Sequence, residues 1–413
     1  MAELRSGRET NAPKRSPSPK KEQTETIRHQ LRNFSAWLNR FGFSLFRNVA
    51  SVKERANVAI ASGSLFVLLG GLSRASEDED KEEMCNALFG KNPTNFDKMA
   101  KEMAKLSDDQ AAYKWVVVSS LFLPSNRRLD KDFSEKMEDK FGVKLQKLVS
   151  SKNPQEVIEA INQFIREESD SRLTDIIPLE QKKLSKYANC MIGTVGVFVH
   201  PWWKNRFSKK CTKDGTFHES EDTSRRVKMM HRESMLPYVQ GDLSPGVVVQ
   251  IVGIPCRAQA ATVYFLVPVK RFHLQEVVNH LTGNRVMSVI SCCRPRRVRL
   301  SVPKLHMAFN VELRKSLSDL GVNAWLNVHH PAFEGIARRG GAVSLGQLYH
   351  EVVIKLAENG GPLESEPEWN ESPIEFECDQ PFLILFYHHV TNAVWMTAQV
   401  RRPSALGPMP PSP

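Results

Sequence analysis

The chain has 413 residues, of which 41% are hydrophobic and 25% are charged. This composition is too apolar for a disordered chain, and the length exceeds the usual ~100–200 residues of one domain, so one large or two medium folded domains are expected. The formal net charge of +11 favours weak association with polyanions but says nothing about the fold.

The two ends of the chain differ in composition from the rest. Residues 1–23 are rich in Pro, Ser, Lys and Arg and lack periodicity, which predicts a disordered basic tail; residues 404–413 form a Pro-rich tail. The N-terminus lacks the apolar core of a secretory signal, and the longest apolar run, at 63–72, is too short to span a bilayer. We therefore expect an intracellular protein without a membrane span. The alternative is an extracellular protein whose leader is missing from this sequence.

Helical periodicity dominates the first half of the chain. It predicts a long first helix from Thr24, a second helix capped by Ser62, and further helices around one buried strand at 113–124. From Gly193 onward, short β-branched and aromatic runs bounded by turn residues predict strands, interrupted by one helix at 310–321. Helices followed by strands, without an internal repeat, indicate an α+β fold.

Motifs of catalysis and metal binding are missing from the sequence. There is no G-x-S-x-G elbow, phosphate-binding loop or H-E-x-x-H motif. The seven cysteines have no C-x-x-C spacing, which argues against a disulfide framework or a zinc site and predicts reduced, buried thiols. The pairs His329–His330 and His388–His389 would point to opposite faces of a strand, so they cannot easily share a metal. We expect no enzymatic activity, no metal and no cofactor.

A cluster of arginines lies in the stretch CCRPRRVR at 292–299. Such a density of positive charge suits a sulfated glycan or a phosphate group. The other interpretation is an exposed basic strand with no dedicated ligand. The candidate polyanion-binding residues are Arg294, Arg296, Arg297 and Arg299.

The stretch FECDQPFLILF at 376–386 resembles the C-terminal signature of the serpin (serine protease inhibitor) family. Four further segments resemble the family in order and spacing; they begin at Asn57, Ile161, Trp203 and Val302. The resemblance covers roughly residues 25–403 and implies one serpin domain over residues 24–403. It also implies an α+β fold of three β-sheets with about nine helices and an exposed reactive loop, which a serpin inserts into its largest sheet after cleavage.

The resemblance assigns the hinge of the reactive loop to six consecutive residues. They are Glu358, Asn359, Gly360, Gly361, Pro362 and Leu363. After the first glycine the family has Thr, Glu and small alanines, whereas this chain has a second glycine and two prolines, the later one at Pro367. Proline lacks the N–H that a central strand needs, and glycine adds roughly 0.5–1 kcal/mol of ordering cost per residue. The hinge sequence therefore disfavours insertion.

The position of a scissile bond is ambiguous. Counting forward from Glu358 by the loop length usual in inhibitory serpins reaches Ile374, whereas counting back from Pro381 reaches Asn370, next to Trp369. The loop contains no Arg, Lys or Met, and its large side chains would suit a chymotrypsin-like or elastase-like protease at best.

Three positions match the region where the family's largest sheet opens. Ser64 lies where the family places a helix-start serine beneath the sheet, His350 where a histidine hydrogen-bonds across it, and Trp203 at its top. The resemblance implies a bond between the Ser64 hydroxyl and the His350 imidazole, which would be either a switch or a structural pair. Val195–Gly196 stands where the family has Asn-Ala, and this change weakens the polar network beneath the sheet.

The favoured hypothesis is a monomeric serpin-fold protein that inhibits poorly or not at all and acts by binding a protein partner. One alternative is a functional suicide inhibitor of a chymotrypsin-like or cysteine protease. The other is a serpin that binds a glycosaminoglycan or another polyanion.

Overall fold

The computed structural model describes residues 19–76, 78–90, 100, 113–151, 153–180, 189–329, 331–339, 341–363 and 372–404. For residues 19–32, 78, 338 and 339 only the backbone is described. Within these ranges, no helix has the length and apolar character needed to cross a bilayer.

Eight α-helices have bounds in the described part of the chain. They are α1 Pro19–Val52, α2 Ser62–Leu72, α3 Asp78–Phe89, α4 Lys131–Phe141, α5 Pro154–Glu168, α6 Leu274–His280, α7 Gly283–Ser291 and α8 Arg314–Asp319. Local capping sets the ends of several helices. At the start of α5 the Asn153 side chain accepts a hydrogen bond from the Gln155 N–H at 3.1 Å, and Gly142 ends α4 in the left-handed conformation.

Sixteen strands accompany these helices. They are β1 Val58–Ile60, β2 Tyr113–Leu123, β3 Arg128–Leu129, β4 Val143–Lys147, β5 Met191–Pro201, β6 Thr212–His218, β7 Ser224–Ser244, β8 Val247–Pro255, β9 Ala261–Pro268, β10 Arg294–Pro303, β11 Leu305–Glu312, β12 Ala337–Arg339, β13 Leu345–Leu356, β14 Ile374–Glu377, β15 Phe382–His388 and β16 Ala393–Val400.

The strands form three sheets. The nine-stranded sheet has the order β1-β16-β15-β9-β8-β7-β10-β14, with β6 also paired to β7; the five-stranded sheet has the order β11-β13-β5-β2-β4; β12 pairs with β3. Strand β7 is 21 residues long, and its successive parts pair with different strands, which joins two layers into one hydrogen-bonded sheet. The predicted α+β class and the three predicted sheets are confirmed.

Some predicted element boundaries are wrong. Helix α1 begins at Pro19 rather than at Thr24, so residues 19–23 are helical and not part of a tail. Ser62 does not cap α2; the capping position is Ala61, and the Ser62 hydroxyl instead donates to backbone carbonyls of β16. The predicted helix at 310–321 begins only at Arg314, because the residues before it pair with β13 as part of β11. Helices α6 and α7 were not predicted.

The central strands of the five-stranded sheet, β5 and β13, are buried on both faces. Helix α5 lays an apolar stripe of valine and isoleucine across one face, and the main hydrophobic core covers the other face. Behind α5 the chain turns back, and Leu173 packs so closely on β5 that a Cβ at Gly196 would lie 2.4 Å from its Cδ1. The Val-Gly pair that departs from the family pattern therefore makes room for this packing.

The thiols only partly follow the sequence prediction. All seven cysteines are free, and four of them are buried. Cys211 and Cys292 are exposed, and Cys293 is half-buried, because these three lie at the ends of surface elements rather than inside a strand.

The return of the chain behind α5 depends on Asn162. This buried side chain accepts from the Ile177 N–H at 3.0 Å and donates to the Ile177 carbonyl at 2.9 Å. We expect Asn162→Ala to lower the free energy of unfolding by about 1–3 kcal/mol, because two buried backbone groups lose their partners. Urea unfolding would measure this, with exposed Gln163→Ala on the same helix as the control. Equal stability of the two variants would contradict it.

Candidate functional site

The centre of the candidate site is the seam, by which we mean the parallel pairing of β5 with β13. The two strands are paired from Met191 and Leu345 to Val199 and Ile354. Every residue of β5 is buried, which is typical of a parallel strand covered on both faces. A strand added between β13 and β5 would have to separate this pair.

His350 fixes the middle of the seam. It is fully buried; its Nδ1 lies 2.7 Å from the Val195 carbonyl, and its Nε2 lies 3.0 Å from the Ala61 N–H. Because a carbonyl only accepts, Nδ1 carries the proton, and Nε2 accepts from the Ala61 N–H. Both ring nitrogens are therefore used by backbone groups, and the predicted bond between His350 and the Ser64 hydroxyl does not form. Burial lowers the pKa of His350 to about 4, although the bond to the Val195 carbonyl raises it.

Glu351, on the opposite face of β13, was not singled out from the sequence. Its carboxyl group is buried; Oε1 accepts from Thr174 Oγ1 at 3.3 Å, and Oε2 has no hydrogen-bond partner among the described residues. Burial raises the pKa of Glu351 to about 7, although the hydrogen bonds from Thr174 lower it. The available signal was a glutamate directly before the apolar residues Val352, Val353 and Ile354 of a predicted strand.

Trp203 closes the top of the seam. The indole is completely buried, and its Nε1–H donates to the Ala357 carbonyl at 2.7 Å. Its backbone N–H donates to the Asn359 carbonyl at 3.0 Å, and its carbonyl accepts from the Gly361 N–H at 2.9 Å. Trp203 therefore joins the end of β13 to the hinge, at the place where the resemblance puts the loop entrance.

The hinge residues 358–362 lie docked along the segment 203–207. Besides the two bonds to Trp203, the Arg206 N–H donates to the Pro362 carbonyl at 3.2 Å and the Phe207 N–H donates to the Glu358 carbonyl at 3.1 Å. A Cβ on Gly360 would lie 2.4 Å from the Trp203 carbonyl oxygen, and one on Gly361 would lie 2.2 Å from that of Lys204. The adjacent glycines are thus needed for a close backbone approach.

Glu358 anchors the start of the hinge by its side chain. The carboxylate pairs with Lys304 Nζ at 2.9 Å and accepts from Thr212 Oγ1 at 2.8 Å, and the side chain is only 7% exposed. Burial raises the pKa of Glu358, but the hydrogen bonds from Lys304 and Thr212 outweigh it, so the net pKa lies below its usual range. The carboxylate is therefore charged and held in place.

The candidate scissile positions are only partly described. Trp369 and Asn370 lie outside the described residues. Ile374 is the first residue of β14, where it pairs with Val298 of β10. An exposed scissile bond at Ile374 does not fit this pairing, because proteases bind loops that are free of a sheet.

The arginine cluster lies on β10, and two of its members are already paired. Arg297 forms an ion pair with Glu233 at 2.5 Å, and Arg299 pairs with Glu233 at 3.1 Å and with Glu375 at 2.6 Å. Arg294 donates to backbone carbonyls of residues 291 and 293. Arg296 is exposed. The structure thus does not gather the four guanidinium groups into one free cationic site.

Comparisons with known proteins agree with this architecture. The family profile for Serpin (serine protease inhibitor) matches residues 36–403. The chain is 25% identical over 260 residues to an uncharacterized serpin-like protein of Thermococcus kodakarensis, which covers 61% of this chain and 58% of that protein. It is 20% identical to mouse glia-derived nexin over 88% of this chain and 91% of that protein. The crystal structure of native protease nexin-1 with heparin superposes with a TM-score of 0.83 at 18% identity, over 91% of this chain and 100% of that one.

The Glu351 carboxyl predicts a pH dependence of stability. Its pKa of about 7 in the folded state lies above the ordinary 4.5, so the free energy of unfolding falls as the pH rises through this window. His350 has the opposite sign, because its pKa of about 4 lies below the ordinary 6.5, so stability falls as the pH drops through that range.

We expect Glu351→Gln to be more stable than the wild type at pH 8 by up to about 3 kcal/mol, with the difference shrinking towards pH 5. Urea unfolding across this pH range measures it, and exposed Glu135→Gln on α4 controls for the loss of a negative charge. A stability difference that does not change with pH would contradict the assignment to Glu351.

The docking of the hinge predicts a specific effect of Gly361→Ala. The new methyl group cannot lie 2.2 Å from the Lys204 oxygen, so the hinge must move away from the segment 203–207. We expect faster amide hydrogen exchange at Arg206 and Phe207, whose N–H groups donate to the hinge. Gly335→Ala is the control, since its Cβ would meet only ordinary contacts at 3.5 Å and beyond. Unchanged exchange at both amides would refute the docking.

Proposed function

This chain belongs to the serpin family, and we propose that it is a serpin that inhibits proteases poorly or not at all and acts by binding a protein partner. The family typically inhibits proteases. Inhibition requires the cleaved loop to enter the sheet that contains His350, which is the five-stranded sheet of this chain, as a new strand. A chain that cannot complete this one step keeps the serpin fold without the inhibitory activity.

The observation that carries the proposal is the docked hinge. Before the loop enters the sheet, the hinge must give up four backbone hydrogen bonds to the segment 203–207 and the contacts that Gly360 and Gly361 allow. Each such bond contributes about 0.5–1.5 kcal/mol net. The seam must open as well, and separating β5 from β13 breaks the hydrogen bond from the His350 ring to the Val195 carbonyl on β5.

The loop sequence would form an incomplete set of hydrogen bonds as a strand of the sheet. Pro362 and Pro367 have no N–H to donate to β5 or β13, and a central strand tolerates proline poorly. The family's Thr and Glu after the first glycine are replaced by Gly361 and Pro362. Insertion would thus break the hydrogen bonds of the docked hinge and replace them with strand pairing that lacks a bond at each proline.

One observation favours the rival hypothesis of a functional suicide inhibitor. The five-stranded sheet has β5 and β13 side by side and parallel, which is the arrangement that an inserting strand would enter. The two hypotheses share this starting state. They differ in whether the loop enters the sheet once it has been cleaved.

The polyanion alternative is weaker in the form that the sequence suggested, since Arg297 and Arg299 are paired with carboxylates. Protease nexin-1 was solved with heparin, but that observation concerns protease nexin-1. Retention of this chain on a heparin column that survives Arg297→Glu together with Arg299→Glu would exclude the β10 cluster as the site.

A glutamate-specific endopeptidase offers the direct test, because the loop contains glutamates at 364, 366, 368 and 371 and no Arg, Lys or Met. We expect cleavage in the loop to change the melting temperature by less than about 5 °C, since no strand is added. Incubation with chymotrypsin or a cathepsin-type protease should give no complex that survives denaturing electrophoresis. A rise of tens of degrees, or such a complex, would establish the inhibitor instead.

A hinge variant with the family's residues provides the matched control. It combines Gly361→Thr and Pro362→Glu with Leu363→Ala and Pro367→Ala. These changes prevent the close approach to Lys204 and remove both prolines, so we expect cleavage of this variant to raise its melting temperature well above that of the cleaved wild type. If wild type and variant respond alike, the hinge sequence is not what limits insertion.

A further inference from the structure

A second surface lies next to the hinge. A cavity of about 670 Å³ opens between the segment after β5, the turn after β8 and the hinge; we call it the hinge cleft. Its main lining residues are Trp202, Arg206, Lys209, Lys210, Arg257 and Leu363.

The hinge cleft carries uncompensated positive charge. Arg206, Lys209, Lys210 and Arg257 are all exposed, and within the described residues none of them takes part in an ion pair. Among the described lining residues the one carboxylate is that of Glu358, and it is already held by Lys304 and Thr212. Four cations around one cavity repel each other and create a positive potential that favours an anionic ligand.

The hinge cleft also has an apolar wall. Trp202 is half-buried, Phe207 is buried and Leu363 is 50% exposed, and all three line the cavity. A sulfated glycan would meet the cations but carries no branched or aromatic side chain to pack between Trp202 and Leu363. An acidic peptide that also carries an aromatic or branched side chain complements both parts.

We propose that the hinge cleft binds an acidic peptide segment of a protein partner. Carboxylates of the segment pair with Arg206, Lys209, Lys210 and Arg257, and an apolar side chain packs between Trp202 and Leu363. Because Asn359, Gly360 and Leu363 form one wall of the cleft, the bound segment also contacts the hinge and holds it docked. This inference rests on the binding role proposed above and names the class of partner. Binding to the hinge cleft does not depend on whether the loop has been cleaved.

The test uses the uncleaved full-length chain and a fluorescein-labelled peptide of sequence Glu-Glu-Phe-Glu-Glu, followed by fluorescence anisotropy. We expect saturable binding that weakens as the salt is raised, since exposed charges are screened. Lys209→Glu combined with Lys210→Glu should weaken binding at least about tenfold. Arg294→Glu combined with Arg296→Glu changes the net charge equally at a distant exposed site and should change the affinity by less than about twofold. Equal losses in both double variants would overturn the assignment.

Two control ligands separate an acidic peptide from other occupants. The peptide Glu-Glu-Ser-Glu-Glu lacks the apolar side chain and should bind several-fold more weakly if the Trp202 wall is used. A heparin tetrasaccharide should compete poorly. If the tetrasaccharide binds tightly and depends on Lys209 and Lys210 while the peptide does not bind, the cleft is a polyanion site and the proposal is wrong.

Hydrogen exchange tests the contact with the hinge. Peptide binding should slow exchange of the Gly361 amide, which donates to the Trp203 carbonyl. Binding that leaves this amide unchanged would refute the contact with the hinge. Peptide binding that arises only after residues 364–371 have been cleaved would identify the chain's own glutamates as the occupant, which would overturn the partner proposal. The binding assay contains no protease. A negative result there would overturn the peptide-binding proposal alone, whereas the lack of inhibition is tested separately by cleaving the loop.

Discussion

The parallel pairing of β5 with β13 holds the centre of the five-stranded sheet together and places the hinge at one end of it. Both strands are buried on both faces, so the seam is accessible only at its ends. His350 ties its middle to the start of α2 by using both ring nitrogens on backbone groups. A histidine in this position is neutral and fully satisfied, so it stabilises the closed sheet and offers no exchangeable partner to an incoming strand.

The top of the seam couples the sheet to the hinge. Trp203 bonds to the end of β13 through its indole and to the hinge through its backbone, and the Glu358–Lys304 pair fixes the first hinge residue. Whatever binds beside the hinge therefore acts on the entrance of the seam. Because hinge residues line the hinge cleft, a ligand bound in the cleft would contact the hinge as well.

Much of this architecture was predictable from the sequence. The FECDQPFLILF stretch becomes β14, a turn and β15, and the β-branched run at 113–124 becomes the central strand β2, because short strands with strong apolar patterns depend little on distant context. Two features were not predictable. The partners of His350 are backbone groups brought together only by the packing of α2 against the sheet, and the glycine pair is explained only by the approach of the segment 203–207. The sequence could not show the carboxylate partners of the arginine cluster for a similar reason. Glu233 lies more than sixty residues away in the sequence and contacts Arg297 only because β7 pairs with β10.

If the hinge blocks insertion, the seam stays closed when the loop is cut, and a crystal structure of the loop-cleaved chain would show this. We expect the same five-stranded order, with β5 still paired to β13 and the hinge still bonded to Trp203. A sixth strand between β5 and β13, formed by the residues after Glu358, would refute the proposed lack of inhibition.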